Sequence, residues 1–132
     1  MIRADEVRTA IVTNMKANSV ITALLDDTDE IRESGWRGTE FSYPNYRVRI
    51  NRIAPVDDCY QELEASIFCF SEEASSQEAE QMAGTVAEQY HKKSFTQSGI
   101  IFSHIKAEPI PAIQQDIRTW RSEIIIRSII NE

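Results

Sequence analysis

The closing stretch, "RTWRSEIIIRSIINE", alternates so regularly that it reads only as a β-strand. Trp120, Ile124, Ile126 and Ile130 fall on one side, with Arg121, Glu123, Ile125, Arg127 and Ile129 on the other. This is the two-residue period of an extended chain. A strand this apolar has to bury one face against a second layer, which makes a sheet with something packed on it the minimum architecture. Ile125 and Ile129 pose a separate question, because they lie among charges on the opposite face. A monomer gains little by exposing them, so they suit a partly buried contact with another protein.

Three more segments share the period. In "NYRVRINRI", Tyr46, Val48 and Ile50 oppose Arg47, Arg49 and Asn51. In "ELEASIFCFS", Leu63, Ala65, Ile67 and Cys69 oppose Glu62, Glu64, Ser66 and Phe68. The intervening "APVDDCYQ" makes these two an antiparallel hairpin with a substantial loop. "IIFSHIKAE" reads as a further strand, stopped by Pro109 and Pro111. Helices are marked by a different spacing. Val7, Ala10, Ile11 and Met15 form one stripe, with Asp5 and Glu6 in the first turn, where the helix dipole favours acids. "SVITALL" adds another helical turn. Ala79, Met82, Ala83, Val86, Ala87 and Tyr90 form the second long stripe, opened by Ser75 and Glu78 in capping-box spacing and followed by Lys92 and Lys93. Residues 26–44 have no sustained period and read as a long loop. The expected fold is therefore α+β: a mostly antiparallel four-stranded sheet with two main helices packed on one face, in the order α-β-β-α-β-β. One domain, residues 1–132, accommodates it.

A net charge of −7 opposes sequence-independent binding to nucleic acid or an anionic membrane, since both need cations at phosphates. No run of about 18 apolar residues is present to span a bilayer. Arg3, Asp5, Glu6 and Arg8 occupy the place where a signal peptide needs an apolar core. Cys59 and Cys69 read as reduced thiols, Cys69 as a small hydrophobe on the apolar side of its strand.

No pattern of residues commits the chain to catalysis. Gly35-Trp36-Arg37-Gly38 lacks the spacing and the Lys-Ser/Thr of a phosphate loop. His91 and His104 lie in different elements with no oriented partner. Asp26, Asp27, Asp29, Glu30 and Glu33 suggest calcium. A twelve-residue loop counted from Asp27, however, puts Arg32 where the turn glycine belongs and Gly38 where the bidentate glutamate belongs. Catalytic residues, metal and cofactor are all read as none. Arg47, Arg49 and Arg52 have no aromatic platform for nucleic acid beside them. They fit either cross-strand pairing with Glu62 and Glu64 or contact with the acidic loop of another copy. Trp36, Tyr43 and Trp120 are the residues that would line a small-molecule pocket, the alternative reading of another class.

The whole arrangement resembles the tail-terminator, or tail-completion, proteins of long-tailed bacteriophages. The residues that carry the likeness are the leading helix, "VITALL", the irregular loop, "YPNYRVRI", "EASIFCFSEEASSQEAEQMAGTVAEQY" and the last strand rich in arginine and isoleucine. The resemblance implies a non-enzymatic virion protein at the tail end or neck, assembled in the host cytoplasm. It would form a hexameric ring that stops tail-tube polymerisation and offers a surface to the head. Its partners would be further copies of itself, the tail tube protein and a head-completion or connector protein, with neither membrane nor direct nucleic-acid recognition. A head-completion or connector ring of the neck is the alternative reading. Residues 26–40 depart from the family in length and acidity.

Ring formation adds a physical requirement. Copies that each carry −7 repel unless acidic and basic patches interlock, as a head-to-tail contact allows. Asp26, Asp27, Asp29 and Glu30 against Arg47, Arg49 and Arg52 are the expected subunit interface. Ile125, Arg127 and Ile129 are the expected tube or subunit contact.

Overall fold

The computed structural model describes residues 1–38 and 42–132. Two long helices, α1 (Ala4–Ala17) and α3 (Gln77–Tyr90), and a single turn, α2 (Ser19–Thr22), accompany six strands. The strands are β1 (Ile31–Glu33), β2 (Asn45–Pro55), β3 (Gln61–Ser71), β4 (Phe95–Gln97), β5 (Ile100–Gln114) and β6 (Trp120–Asn131). They form one sheet in the order β1-β2-β3-β6-β5-β4. All neighbours are antiparallel except β1, which runs parallel to β2. The sheet curls as a half-barrel.

This corrects the expected four-stranded sheet and its α-β-β-α-β-β order: the fold is mostly β, with a mixed six-stranded sheet. The two unforeseen strands are three residues each, too short to display a period. β1 lies inside the segment read as a long loop, just after a single 3-10 turn, Thr28–Glu30. Part of that loop, residues 39–41, lies outside the described residues. β4 lies in "SFTQSG", a segment to which the sequence assigns no element. The prolines do not end β5 either. Beyond Phe102 its outer side carries no strand among the described residues, and a free edge tolerates residues with no N–H to give.

The helix stripes become the buried faces. Val7, Ala10, Ile11 and Met15 of α1 and Met82, Val86 and Tyr90 of α3 meet Tyr46, Val48, Ile67, Phe102, Ile124 and Ile130 of the sheet. The Val, Ile, Met and Phe side chains among these each contribute roughly 1.5–3 kcal/mol by leaving water. Two polar groups between the helices and the sheet find partners there: Ser122 Oγ donates to Ala79 O, and Tyr90 Oη donates to Asn14 Oδ1 at 2.8 Å. Burial pushes the Tyr46 and Tyr90 phenols and the Cys69 thiol well above their ordinary values.

Two capping details differ from the sequence expectation. Glu78 does not reach back along its own helix; it accepts from Ser71 Oγ at 2.7 Å, tying the start of α3 to the end of β3. Asn18 supplies an unanticipated cap, its Oδ1 accepting from Val20 N and Ile21 N at the head of α2. All the helix packing falls on one side of the sheet. The opposite side is left to charged and mixed residues.

Candidate functional site

The residues expected to meet a neighbour separate into two groups. Glu30 and Arg47 are buried, at 4% and 6% exposure, and they hold each other. Arg47 Nη2 donates to Glu30 Oε1 at 3.1 Å and Nη1 donates to Glu30 O at 2.7 Å. Ser42 adds two donors to Glu30 Oε2, its N–H at 2.7 Å and its hydroxyl at 2.8 Å. Burial alone would raise the Glu30 carboxyl, but these donors outweigh it and hold the group below its ordinary value. Burial likewise lowers Arg47, against the support of Glu30. Arg32 lies 3.8 Å from the same carboxylate and stacks over Trp36, 3.6 Å from the ring centroid. Glu30 and Arg47 thus pair with each other inside one chain, both buried. Asp26, Asp27, Asp29, Arg49 and Arg52 are exposed.

The second group lies on the helix-free sheet face. Phe68 is only 7% exposed there without any helix above it. Its cover is two guanidinium groups, Arg49 and Arg121, at 5.0 Å and 5.3 Å from the ring centroid, within the range of cation–π attraction. Polar side chains run across the strands beside it. Arg49 Nε donates to Asn51 Oδ1 at 2.9 Å, Asn51 Nδ2 donates to Ser66 Oγ at 2.8 Å, and Ser66 Oγ donates to Glu123 at 2.6 Å. Arg127 bridges Glu64 on β3 at 3.3 Å and Glu108 on β5 at 3.6 Å. The cross-strand partner of Arg49 is Ser66, and that of Arg52 is Glu64.

Ile125 and Ile129 are half-buried on this face. Ile129 lines an open groove of about 430 Å³ with Arg52, Glu62, Glu64, Lys106 and Arg127, so four strands contribute to it. The two bulges that bend the sheet here, at Ile50/Arg52 in β2 and Ser103/Lys106 in β5, had no sequence signal. The Phe68 stack was likewise missed, although a phenylalanine on an otherwise polar strand side marks the place.

Among the described residues no cluster of three or more His, Cys, Asp or Glu could hold a metal ion, and no helix is long and apolar enough to cross a membrane. Both cysteines are free, Cys59 exposed and Cys69 buried. Trp36 packs on Arg32, whereas Trp120 lines a separate cleft with Glu72, Glu73 and Ile117.

Fold and surface together define a mostly β domain, a curled six-stranded sheet with one face closed by helices and the other open, charged and cross-linked by side-chain hydrogen bonds and ion pairs. No protein-family model matches the chain, and no curated protein matches it. A solved chain from the virion of a native gene transfer agent particle has the same fold, with a TM-score of 0.72 and 12% identity over 96% of this chain and 95% of that one. A second solved protein, 14% identical, aligns with a TM-score of 0.59 over 99% of this chain and 96% of its own. At these identities the likeness establishes the fold.

Proposed function

We propose that this chain is a structural virion protein that forms a ring on the end of a phage tail tube, stops polymerisation and presents the surface the head joins. The observation that carries the reading is the match, over nearly the full length of both chains, to a component of a gene transfer agent virion. The helix-free face supports it. A surface held by Arg127, Glu64, Glu108, Ser66 and Glu123 is preorganised, and rigid mixed surfaces lose little freedom when they dock.

In this reading the chain works by binding and performs no chemistry. Ile125, Arg127 and Ile129 meet the tube or a neighbouring subunit. Asp26, Asp27, Asp29, Arg49 and Arg52 are the charged groups a neighbouring subunit can reach.

Electron microscopy of the purified protein, alone and mixed with tail tubes, tests this. Rings capping tube ends are the expected result. Monomers that never decorate a tube end would overturn it, and rings that bind head vertices but ignore tubes would assign the chain to the head-completion side of the neck.

A further inference from the structure

We propose that a groove at the C-terminal end of α3 receives the β5–β6 turn of a second copy of this chain, with Ile117 as the inserted side chain. The inference rests on the ring reading for closure, and it names the contact.

The groove, about 600 Å³, is lined by His91, Lys92, Lys93, His104, Ile105 and Lys106, and offers more apolar than polar surface. The chain has only four lysines and two histidines; three of the lysines and both histidines gather here. Among the described residues no carboxylate lines it. Among the described residues none of the three lysines has a salt-bridge partner, although the chain carries 21 acids. Lysine stems supply apolar wall while their ammonium heads stay free.

The backbone here is unusual as well. Lys92 and His104 adopt φ of 60° and 52°, a left-handed conformation that side chains other than glycine adopt at a cost. The β5 bulge at Ser103/Lys106 contains His104. Lys92 N–H donates to Ile105 O at 2.8 Å, and Ala107 N–H donates to His91 Nδ1 at 3.1 Å. The groove is therefore shaped and locked before anything enters it.

Its complement lies at the other end of β5. Ile117 is 92% exposed, and Ile113, near the end of β5, is 52% exposed. The turn that carries Ile117 is held rigid, because Asp116 Oδ1 accepts from Arg118 N and Thr119 N at 2.9 Å each. Glu72 and Glu73 share a cleft with Ile117, and among the described residues neither is in a salt bridge; Arg118 lines the same cleft. Two glutamates and Asp116 against one arginine leave this tip acidic. From Ile105 to Gln114 the strand spans on the order of 25–30 Å, so Ile117 cannot reach the groove of its own chain. Two different, complementary patches at opposite ends of one subunit make a heterologous contact, the kind that closes into rings or runs into filaments. Nucleic acid suits the groove less well, since among the described residues no Phe, Tyr or Trp lines it for base stacking.

Charge reversal tests the contact by sedimentation velocity in low salt, with circular dichroism to verify folding. Lys92→Glu with Lys93→Glu, and separately Glu72→Lys with Glu73→Lys, should each weaken self-association at least tenfold, as should Ile117→Asp. Combining all four reversals in one chain should restore it. Association untouched by the reversals, no recovery in a folded quadruple variant, or a wild-type chain that stays monomeric would each overturn the proposal. So would a short DNA duplex that binds the wild type and is lost in Lys92→Glu/Lys93→Glu while self-association persists. Closed rings insensitive to the reversals overturn this contact and leave the ring reading standing. Filaments that the reversals abolish support the contact and overturn ring closure.

Discussion

Arg47 and Glu30 neutralise each other inside the protein, Nη2 to Oε1 at 3.1 Å, with both residues less than a tenth exposed. This pair clamps the end of the 3-10 turn and the start of β1 to β2, at the one parallel junction of the sheet. Removing one partner strands the other charge in a poorly solvated place, which typically costs about 3–5 kcal/mol. Arg47→Ala and Glu30→Ala should each lower the urea midpoint by that equivalent, whereas Arg47→Met with Glu30→Leu should recover much of the loss.

The same pair predicts acid sensitivity. Glu30 has a folded pKa below its ordinary value, so its contribution is fully present above the unfolded carboxylate pKa of about 4.3. It is lost as pH falls through the lower folded value. Asp5 and Asp116, both lowered, act in the same direction. Urea melts across pH 2–6 should show stability falling below about pH 4.3, and Glu30→Gln should flatten that acid limb while lowering the plateau.

Ile67 and Ile124 face each other across β3 and β6, both at 0% exposure, in the middle of the sheet beneath α3. Truncating either to Ala removes buried methylenes and leaves a cavity, so each should cost about 2–5 kcal/mol in chemical denaturation.

Ile125 and Ile129 should behave differently. Both lie half-buried on the helix-free face, so Ile125→Asp and Ile129→Asp should change stability by only about 0.5–1 kcal/mol, close to the range of surface substitutions. Co-sedimentation with tail tubes should nonetheless be lost in the double variant. Retained binding would remove these residues from the contact.

The exposed pairs of Arg127 with Glu64 and Glu108 are each worth roughly 0.2–1 kcal/mol. Arg127→Ala should therefore leave the melting temperature almost unchanged in moderate salt, while weakening any docking that uses this face.

Sequence alone determined the elements whose periods run long enough to count: the alternation in β2, β3 and β6 and the stripes of α1 and α3. In these the spacing of apolar side chains within about ten residues dictates which face is buried. It also marked Ile125 and Ile129 as apolar residues on a charged face. Tertiary structure decided the rest. β1 and β4 hold three residues each and exist only because a neighbouring strand offers hydrogen bonds, so no local pattern could announce them. Charge patterning suggested that Glu30 and Arg47 would meet across two subunits; the parallel return of β1 brought them together within one. Pro109 and Pro111 looked like strand ends until the sheet order put β5 near an edge, where a missing N–H leaves no partner unsatisfied. The lysine groove and the Ile117 turn lie close in sequence, and only the extended path of β5 sets them apart on one subunit.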